Sequence, residues 1–305
     1  SNVAAGEAGA ITQHTGASMV ERNGMKVTFL DTPGHSAFSA MRKRGADITD
    51  ICILLVAADD GVNAQTKEAL KIIQESERPM IIAINKMDLP TANPDRVLTE
   101  LQNLGILTEE WGGDFGVVKI SAKTGDGLDE LIERIHLEGE VNELMGNPKI
   151  PAVISVVESE LEQGMGATAN IVVKNGTLKT GDVVLCGEFY GKVKAMVDSN
   201  GKRLKKAGPS TAIKLLGLNG APNVGEKGLI CKNEREAKNF ADERIQHIRE
   251  SKLAVPKATS LEELLSQVSE GEKKVFRVII KSDTRGTGEA IQQEDVEDQD
   301  SVTQA

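Results

Sequence analysis

Cysteine is scarce in this chain: Cys52, Cys186 and Cys231 are the only three in 305 residues, widely spaced and set in apolar runs. No C-x-x-C pairing occurs, which excludes zinc-ribbon ligand spacing and the disulfide framework of a small secreted domain. Buried thiols in a reducing compartment are the reading that remains. Long apolar runs are missing too, and nothing approaches the ~20 residues that span a bilayer. Residues 1–20 have neither the charged n-region nor the apolar h-region of a signal peptide. A cytoplasmic protein without a membrane partner is expected. Positive charge is not in excess. With 36 basic against 46 acidic residues the formal net charge is -10, which excludes a generic nucleic-acid coat while allowing a local basic face.

What is present suits a globular chain of two or three domains: 39% hydrophobic and 27% charged residues over 305 positions. Residues 25–145 alternate short β-rich apolar runs with amphipathic helical stretches. The runs at 25–30, 51–57, 80–84 and 117–120 read as strands. Between the second and third, 64–76 reads as a helix with Ala69, Leu70, Ile72 and Ile73 on its inner stripe. Alternation of this kind predicts an α/β domain, a mostly parallel sheet with helices on both faces and right-handed crossovers. A last helix is predicted over 128–145, ended by Gly146-Asn147-Pro148.

From residue 151 to about 232 the pattern changes to short β-rich segments broken by Gly and turn residues, such as 152–158, 167–173, 182–185, 192–197 and 213–218. Lys174-Asn175-Gly176 and Asp198-Ser199-Asn200-Gly201 are turn signals. Without helical periodicity, a small antiparallel β-barrel is the expected architecture. Residues 234–252 return to helix, with Ala237, Phe240, Ala241, Ile245 and Ile248 on one stripe. Ser260 and Glu263 form a capping box for a helix to 268, 275–281 reads as a strand, and 292–305 as an acidic disordered tail. The expected division is 1–147, 148–233 (barrel), 234–257 (linker helix and Pro-containing joint) and 258–305, a partial third domain.

Three motifs carry chemistry. Asp31-Thr32-Pro33-Gly34-His35 follows the strand at 25–30. A carboxylate at a strand's C-terminal end is placed to hold Mg²⁺ directly or through water. The Gly34 amide, without a side chain in the way, is able to approach a terminal phosphate. His35 is the candidate that orients an attacking water, since phosphoryl transfer rests on orientation and charge stabilisation. Asn85-Lys86-Met87-Asp88 follows the run 80–84. The Asp88 carboxylate matches the N1–H and exocyclic amine of guanine, and adenine offers neither donor there. Asn85 holds the loop or contacts the base, and the Lys86 stem covers its face. Ser121-Ala122-Lys123 then offers a backbone amide to the guanine carbonyl. In this order the motifs read as the base- and phosphate-sensing parts of a GTP-binding protein. Against that stands an absence: no G-x-x-x-x-G-K-[ST], the loop that cradles phosphates, occurs in these 305 residues. His136 and His247 lie on predicted helices without a partner pattern and are expected at the surface.

Further strings bear on family: Gly6-Glu7-Ala8-Gly9-Ala10-Ile11-Thr12-Gln13-His14, Ala57-Ala58-Asp59-Asp60-Gly61-Val62, Glu110-Trp111-Gly112-Gly113-Asp114 and Ala207-Gly208-Pro209-Ser210-Thr211. With the motifs above, the chain from residue 6 to 291 closely resembles bacterial translation initiation factor two. Ala10 and Thr15 depart from that family's usual residues, and the sequence after Ile291 no longer matches. The resemblance implies a GTPase that uses GTP/GDP and Mg²⁺, places initiator tRNA on the small ribosomal subunit and promotes joining of the large one. It implies a translation-factor barrel and, after it, an α/β/α domain, in a monomer. Thr12, Asp31, Gly34 and His35 would be the switch residues, with Thr12 and Asp31 on the metal. Asn85, Lys86, Asp88, Ser121, Ala122 and Lys123 would read the base. The chain is expected to be an internal piece of a longer protein, without the phosphate-loop strand and the tRNA-binding domain. That strand would lie between 25–30 and 51–57. Two rival readings are a nucleotide-independent ribosome-binding module and a different translational GTPase such as an elongation factor. The 6–14 string and the start of a third domain speak against the elongation factor.

Overall fold

The computed structural model describes residues 15–35, 38–162, 164 and 166–254, the last four by backbone alone. Thr12 and the expected third domain with its acidic tail lie outside these residues. The first part of the chain runs β1 (Gly16–Arg22), β2 (Met25–Asp31), α1 (Ser39–Ile48), β3 (Cys52–Ala57), α2 (Ala64–Ser76), β4 (Met80–Asn85), α3 (Pro94–Asn103), β5 (Gly116–Lys119) and α4 (Leu128–Val141).

β3, β4 and β5 form a parallel sheet with β4 at its centre. From Met80 to Ile84 no residue of β4 is more than 5% exposed. A strand covered on both faces reads as an unbroken apolar run, and its side chains still alternate. Met80, Ile82 and Ile84 pack with Leu70 of α2 and Val97, Leu98 and Leu101 of α3. Ile81 and Ala83 pack on the other face with Leu131, Ile132 and Ile135 of α4. Helix α2 has the predicted bounds because Asn63 caps it, accepting the Thr66 N–H at 2.8 Å. Helix α3 was not among the predicted elements, although Asn93 caps it and Pro94 opens it. Nor was the antiparallel hairpin β1–β2, turned by Asn23-Gly24 with both residues at positive φ. Helix α4 ends at Val141 instead of running to residue 145. Asn142 closes it by donating to the Glu138 carbonyl, and Glu143 at φ 51° leaves the helical region.

Among the described residues β2 pairs only with β1, and β3 only with β4. The facing edges of β2 and β3 are separated by a cavity of about 1030 Å³, with Lys26–Asp31 on one wall and Ile51–Leu55 on the other. The strand expected between 25–30 and 51–57 would lie here. Ala69, Ile72 and Ile73 of α2 line the cavity, so that three of the four residues of the predicted inner stripe are only half-buried and Leu70 alone of them is buried. His136 also lines it and is half-buried, not a surface residue, whereas His247 is exposed.

The second part comprises β6 (Val153–Glu162), β7 (Gly166–Asn175), β8 (Leu178–Lys179), β9 (Val183–Cys186), β10 (Phe189–Val197), β11 (Arg203–Leu204), β12 (Lys206–Ala207), β13 (Ala212–Leu218), β14 (Lys227–Cys231) and α5 (Glu234–Ala254). Six of these strands close in the order β10-β13-β7-β6-β14-β9, all antiparallel, with β9 returning to β10. Ile154, Ile171, Met196 and Leu215 fill the interior at 0% exposure. Helix α5 lies on the barrel through Ala237 and Ala241, packed against Val183 and Leu185. Phe240 and Ile248, on the predicted stripe, are nearly half exposed. Cys52 and Cys186 are buried, and burial pushes the Cys186 thiol up to about 12. Cys231 is only half-buried, a correction to the expected set of buried thiols.

The two parts touch through an apolar contact of Ala17 and Leu30 with Val157, Val172 and Ala212. Lys174 of β7 adds a polar clasp at the C-terminal end of α1, donating to the Ile48 carbonyl at 2.8 Å and pairing with Asp50 at 2.6 Å.

Candidate functional site

Parallel strands in register bring their following loops together. Ala57 lies opposite Asn85 and Ile84 opposite Lys119, so the loops after β3, β4 and β5 stand side by side. In open α/β sheets ligands bind at this carboxyl edge. Asp31 closes β2, and the Asp31–Gly34 turn shares the cavity wall with Asn85 and Lys86.

Two clips join the second and third motifs. The Ser121 hydroxyl donates to Asp88 Oδ1 at 2.7 Å, and the Ala122 N–H donates to Asn85 Oδ1 at 2.9 Å. Ser121 is itself buried, and its Oγ accepts the Thr124 N–H at 3.2 Å. Of the three backbone amides of Ser121-Ala122-Lys123, that of Ala122 is engaged by Asn85, and its effect here is to shape the loop. Asp88 has lone pairs left on both oxygens for two further donors. Lys123, 82% exposed, stands 3.9 Å from Asp88 Oδ2.

Lys86 sits in left-handed backbone at φ 65°, and its Nζ reaches Asp59 at 2.9 Å and Asp60 at 3.2 Å. These two carboxylates, in the loop after β3, were not singled out as site residues. A pair of acids following a predicted strand, in the same relation as Asp31 to its own, was the available signal. Gly34 and His35 are exposed. A Cβ built on Gly34 would meet nothing within 4 Å, so a ligand has open access to this backbone. Among the described residues no group of three His, Cys, Asp or Glu could hold a metal. Mg²⁺ takes one or two carboxylates and completes its shell with phosphate oxygens and water, and Asp31 is the carboxylate that the end of β2 offers.

The electrostatics set a pH prediction. The Ser121 hydroxyl holds the Asp88 carboxyl below the usual 3.8, the Lys86 ammonium does the same for Asp59, and the Val62 N–H holds Glu100 below 4.5. Asp59 and Asp60 in turn raise Lys86 above 10.5. A lowered acid contributes stability that is present above its unfolded value and lost as pH falls through the folded one. A raised lysine contributes below its unfolded value and loses it as pH rises through the folded one. The urea midpoint of this domain should therefore lose these contributions below about pH 4 and above about pH 10.5, and none between about 5 and 10. In Asp59→Asn the alkaline fall should start at the same pH but be smaller and finish at lower pH than in the parent chain, because the folded value of Lys86 then lies nearer its unfolded one.

Comparison with known proteins agrees with this geometry. Residues 1–139 match the Elongation factor Tu GTP binding domain, and residues 151–228 match Elongation factor G domain 2. Crystalline GDP-bound aIF5B from Aeropyrum pernix is similar over 81% of this chain and 53% of that one, at 26% identity and a TM-score of 0.61. This is the fold of the translational GTPases, a nucleotide domain followed by a closed barrel and a helix. Translation initiation factor IF-2 of Thermoanaerobacter sp. (strain X514) is 50% identical over 290 residues, covering 95% of this chain and 42% of its own length. That of Staphylococcus aureus (strain JH9) is 48% identical over 289 residues, covering 95% and 41%. The chain belongs to the translation initiation factor IF-2 family, and it spans about two fifths of the length of the curated relatives it matches.

Proposed function

We propose that this chain carries the guanine-nucleotide site and translation-factor barrel of an initiation factor that hydrolyses GTP to GDP and phosphate on the ribosome. The observation that carries this reading is the pair of clips, Asp88 to Ser121 and Asn85 to Ala122, at the carboxyl edge of a parallel sheet. In this reading Asp88 accepts the two guanine donors, and Asn85, Ser121, Ala122 and Lys123 shape the loop that reads the base. Lys86 lies over the base with its charge held by Asp59 and Asp60. The Gly34 amide meets the terminal phosphate and His35 orients the attacking water. Asp31 would hold Mg²⁺ with Thr12. When bound, that ion neutralises charge on the phosphate oxygens. Family membership supports action on both ribosomal subunits, placement of initiator tRNA through a further domain, and a cytoplasmic monomer. The domain division 1–147, 148–233, 234–257 and 258–305 belongs to the same reading. Among the described residues no helix is long and apolar enough to cross a membrane.

The 305 residues contain no G-x-x-x-x-G-K-[ST]. If about three charge-assisted phosphate contacts are lacking at ~1.5–3 kcal/mol each, affinity is lower by several orders of magnitude. Titration of the full chain with a fluorescent GDP analogue should show only weak binding and almost no hydrolysis. Sub-micromolar binding would overturn this expectation.

A second reading, a nucleotide-independent ribosome-binding module, draws on the barrel having a closed core of its own. Co-sedimentation with ribosomes that ignores both GTP and Asp88→Asn would favour it.

A further inference from the structure

A buried guanidinium is costly unless acceptors meet it, and on Arg42 they meet both Nη atoms, while the buried Nε finds none among the described residues. Arg42, in the middle of α1, is only 9% exposed. Its Nη1 donates to the Pro33 carbonyl at 3.0 Å and to the His35 carbonyl at 2.5 Å, and its Nη2 pairs with Glu68 of α2 at 2.5 Å. The planar fork reaches in two directions at once, toward the turn and toward the carboxylate. Nearly one helical turn further along, a Cβ on Gly45 would stand 2.8 Å from Thr32 Cγ2, so α1 is laid directly against the same turn. The His35 carbonyl also accepts the Phe38 N–H at 3.1 Å, which ties the turn to the start of α1.

A trans peptide points its C=O and its N–H in opposite directions. Drawing the Pro33 carbonyl inward to Arg42 therefore turns the Gly34 N–H away from Arg42, and Gly34 itself is exposed. We propose that Arg42, anchored by Glu68, is a positioning residue that sets the Pro33–Gly34 peptide and the backbone of His35. Its functional meaning rests on the reading of this turn as the terminal-phosphate sensor. Its structural content does not. Lysine keeps the charge but lacks the fork, and Glu68→Gln keeps the fork but removes the anchoring charge.

The test uses the nucleotide-free, ¹⁵N-labelled full chain as parent, Arg42→Lys and Glu68→Gln, with His35→Gln to assign the ring resonances. In Arg42→Lys the Phe38 amide should exchange at least ~10-fold faster, because the opening it reports is local to the turn. The Gly34 amide and His35 ring resonances should move, while those of His136 and His247 stay in place. Glu68→Gln should act in the same direction with smaller size. If both variants leave Phe38 exchange within about twofold of the parent and the Gly34 and His35 resonances unmoved, Arg42 only fills space and the proposal fails, whatever the melting temperature does. Absence of any guanine-nucleotide signal even at millimolar concentration would sink the phosphate reading alone, since no nucleotide enters these measurements.

Discussion

Asp88→Asn is expected to abolish what guanine-nucleotide binding the full chain has and to admit a base with a carbonyl where guanine carries its amine. The carboxylate presents acceptors to two donors. An amide presents a donor in one of those places, and the mismatch removes about two charge-assisted hydrogen bonds. At ~1.5–3 kcal/mol each, the loss is about 10²–10⁴ in affinity. The substitution is a clean probe because the Asn Oδ1 still accepts the Ser121 hydroxyl that holds Asp88 at 2.7 Å, so the loop keeps its clip. Ligand-observed NMR at millimolar nucleotide is the suitable measurement for a weak binder. Guanosine diphosphate signals should vanish in the variant while xanthosine diphosphate signals appear. An unchanged preference for guanine would remove Asp88 from the site.

Ile82→Ala should destabilise the nucleotide domain by about 2–5 kcal/mol, the usual cost of emptying a buried isoleucine site. Ile82 is 0% exposed at the centre of β4, between α2 and α3, with Ile81 filling the opposite face. Calorimetry should show the transition of this domain falling by roughly 5–15 °C. The barrel has a separate core, so its transition should stay nearly in place. Leu215→Ala in the barrel should reverse that pattern. A loss below about 1 kcal/mol for Ile82→Ala would mean that the sheet collapses readily into the cavity beside β3. The Asn85–Asp88 loop leaves directly from β4, so weaker nucleotide binding should accompany the loss of stability.

Much of the arrangement was legible in local pattern. Strand β4 announces itself as an unbroken apolar run, and α2 by its stripe and its Asn63 cap. The barrel shows in the loss of helical period and in turn signals such as Asn175-Gly176, where Gly176 takes φ 76°. Less visible were α3 and the β1–β2 hairpin, short elements whose signals are a cap with Pro94 and the pair Asn23-Gly24. The predicted extension of α4 to residue 145 failed for a local reason, the closing bond of Asn142 and the positive φ of Glu143.

By itself the chain's order of residues determined the two kinds of architecture and the identity of the motifs, because strand and helix periods and turn chemistry are properties of neighbours. Only the tertiary structure decided which distant groups meet. Asp88 finds Ser121, Lys86 finds Asp59 and Asp60, and Arg42 finds Glu68 together with two carbonyls of the Asp31–His35 turn. The same holds for the α5 stripe, of which Ala237 and Ala241 are buried and Phe240 is not. Hydrogen bonds and burial are set by packing in three dimensions, and no spacing along the chain encodes which side of a residue the fold will cover.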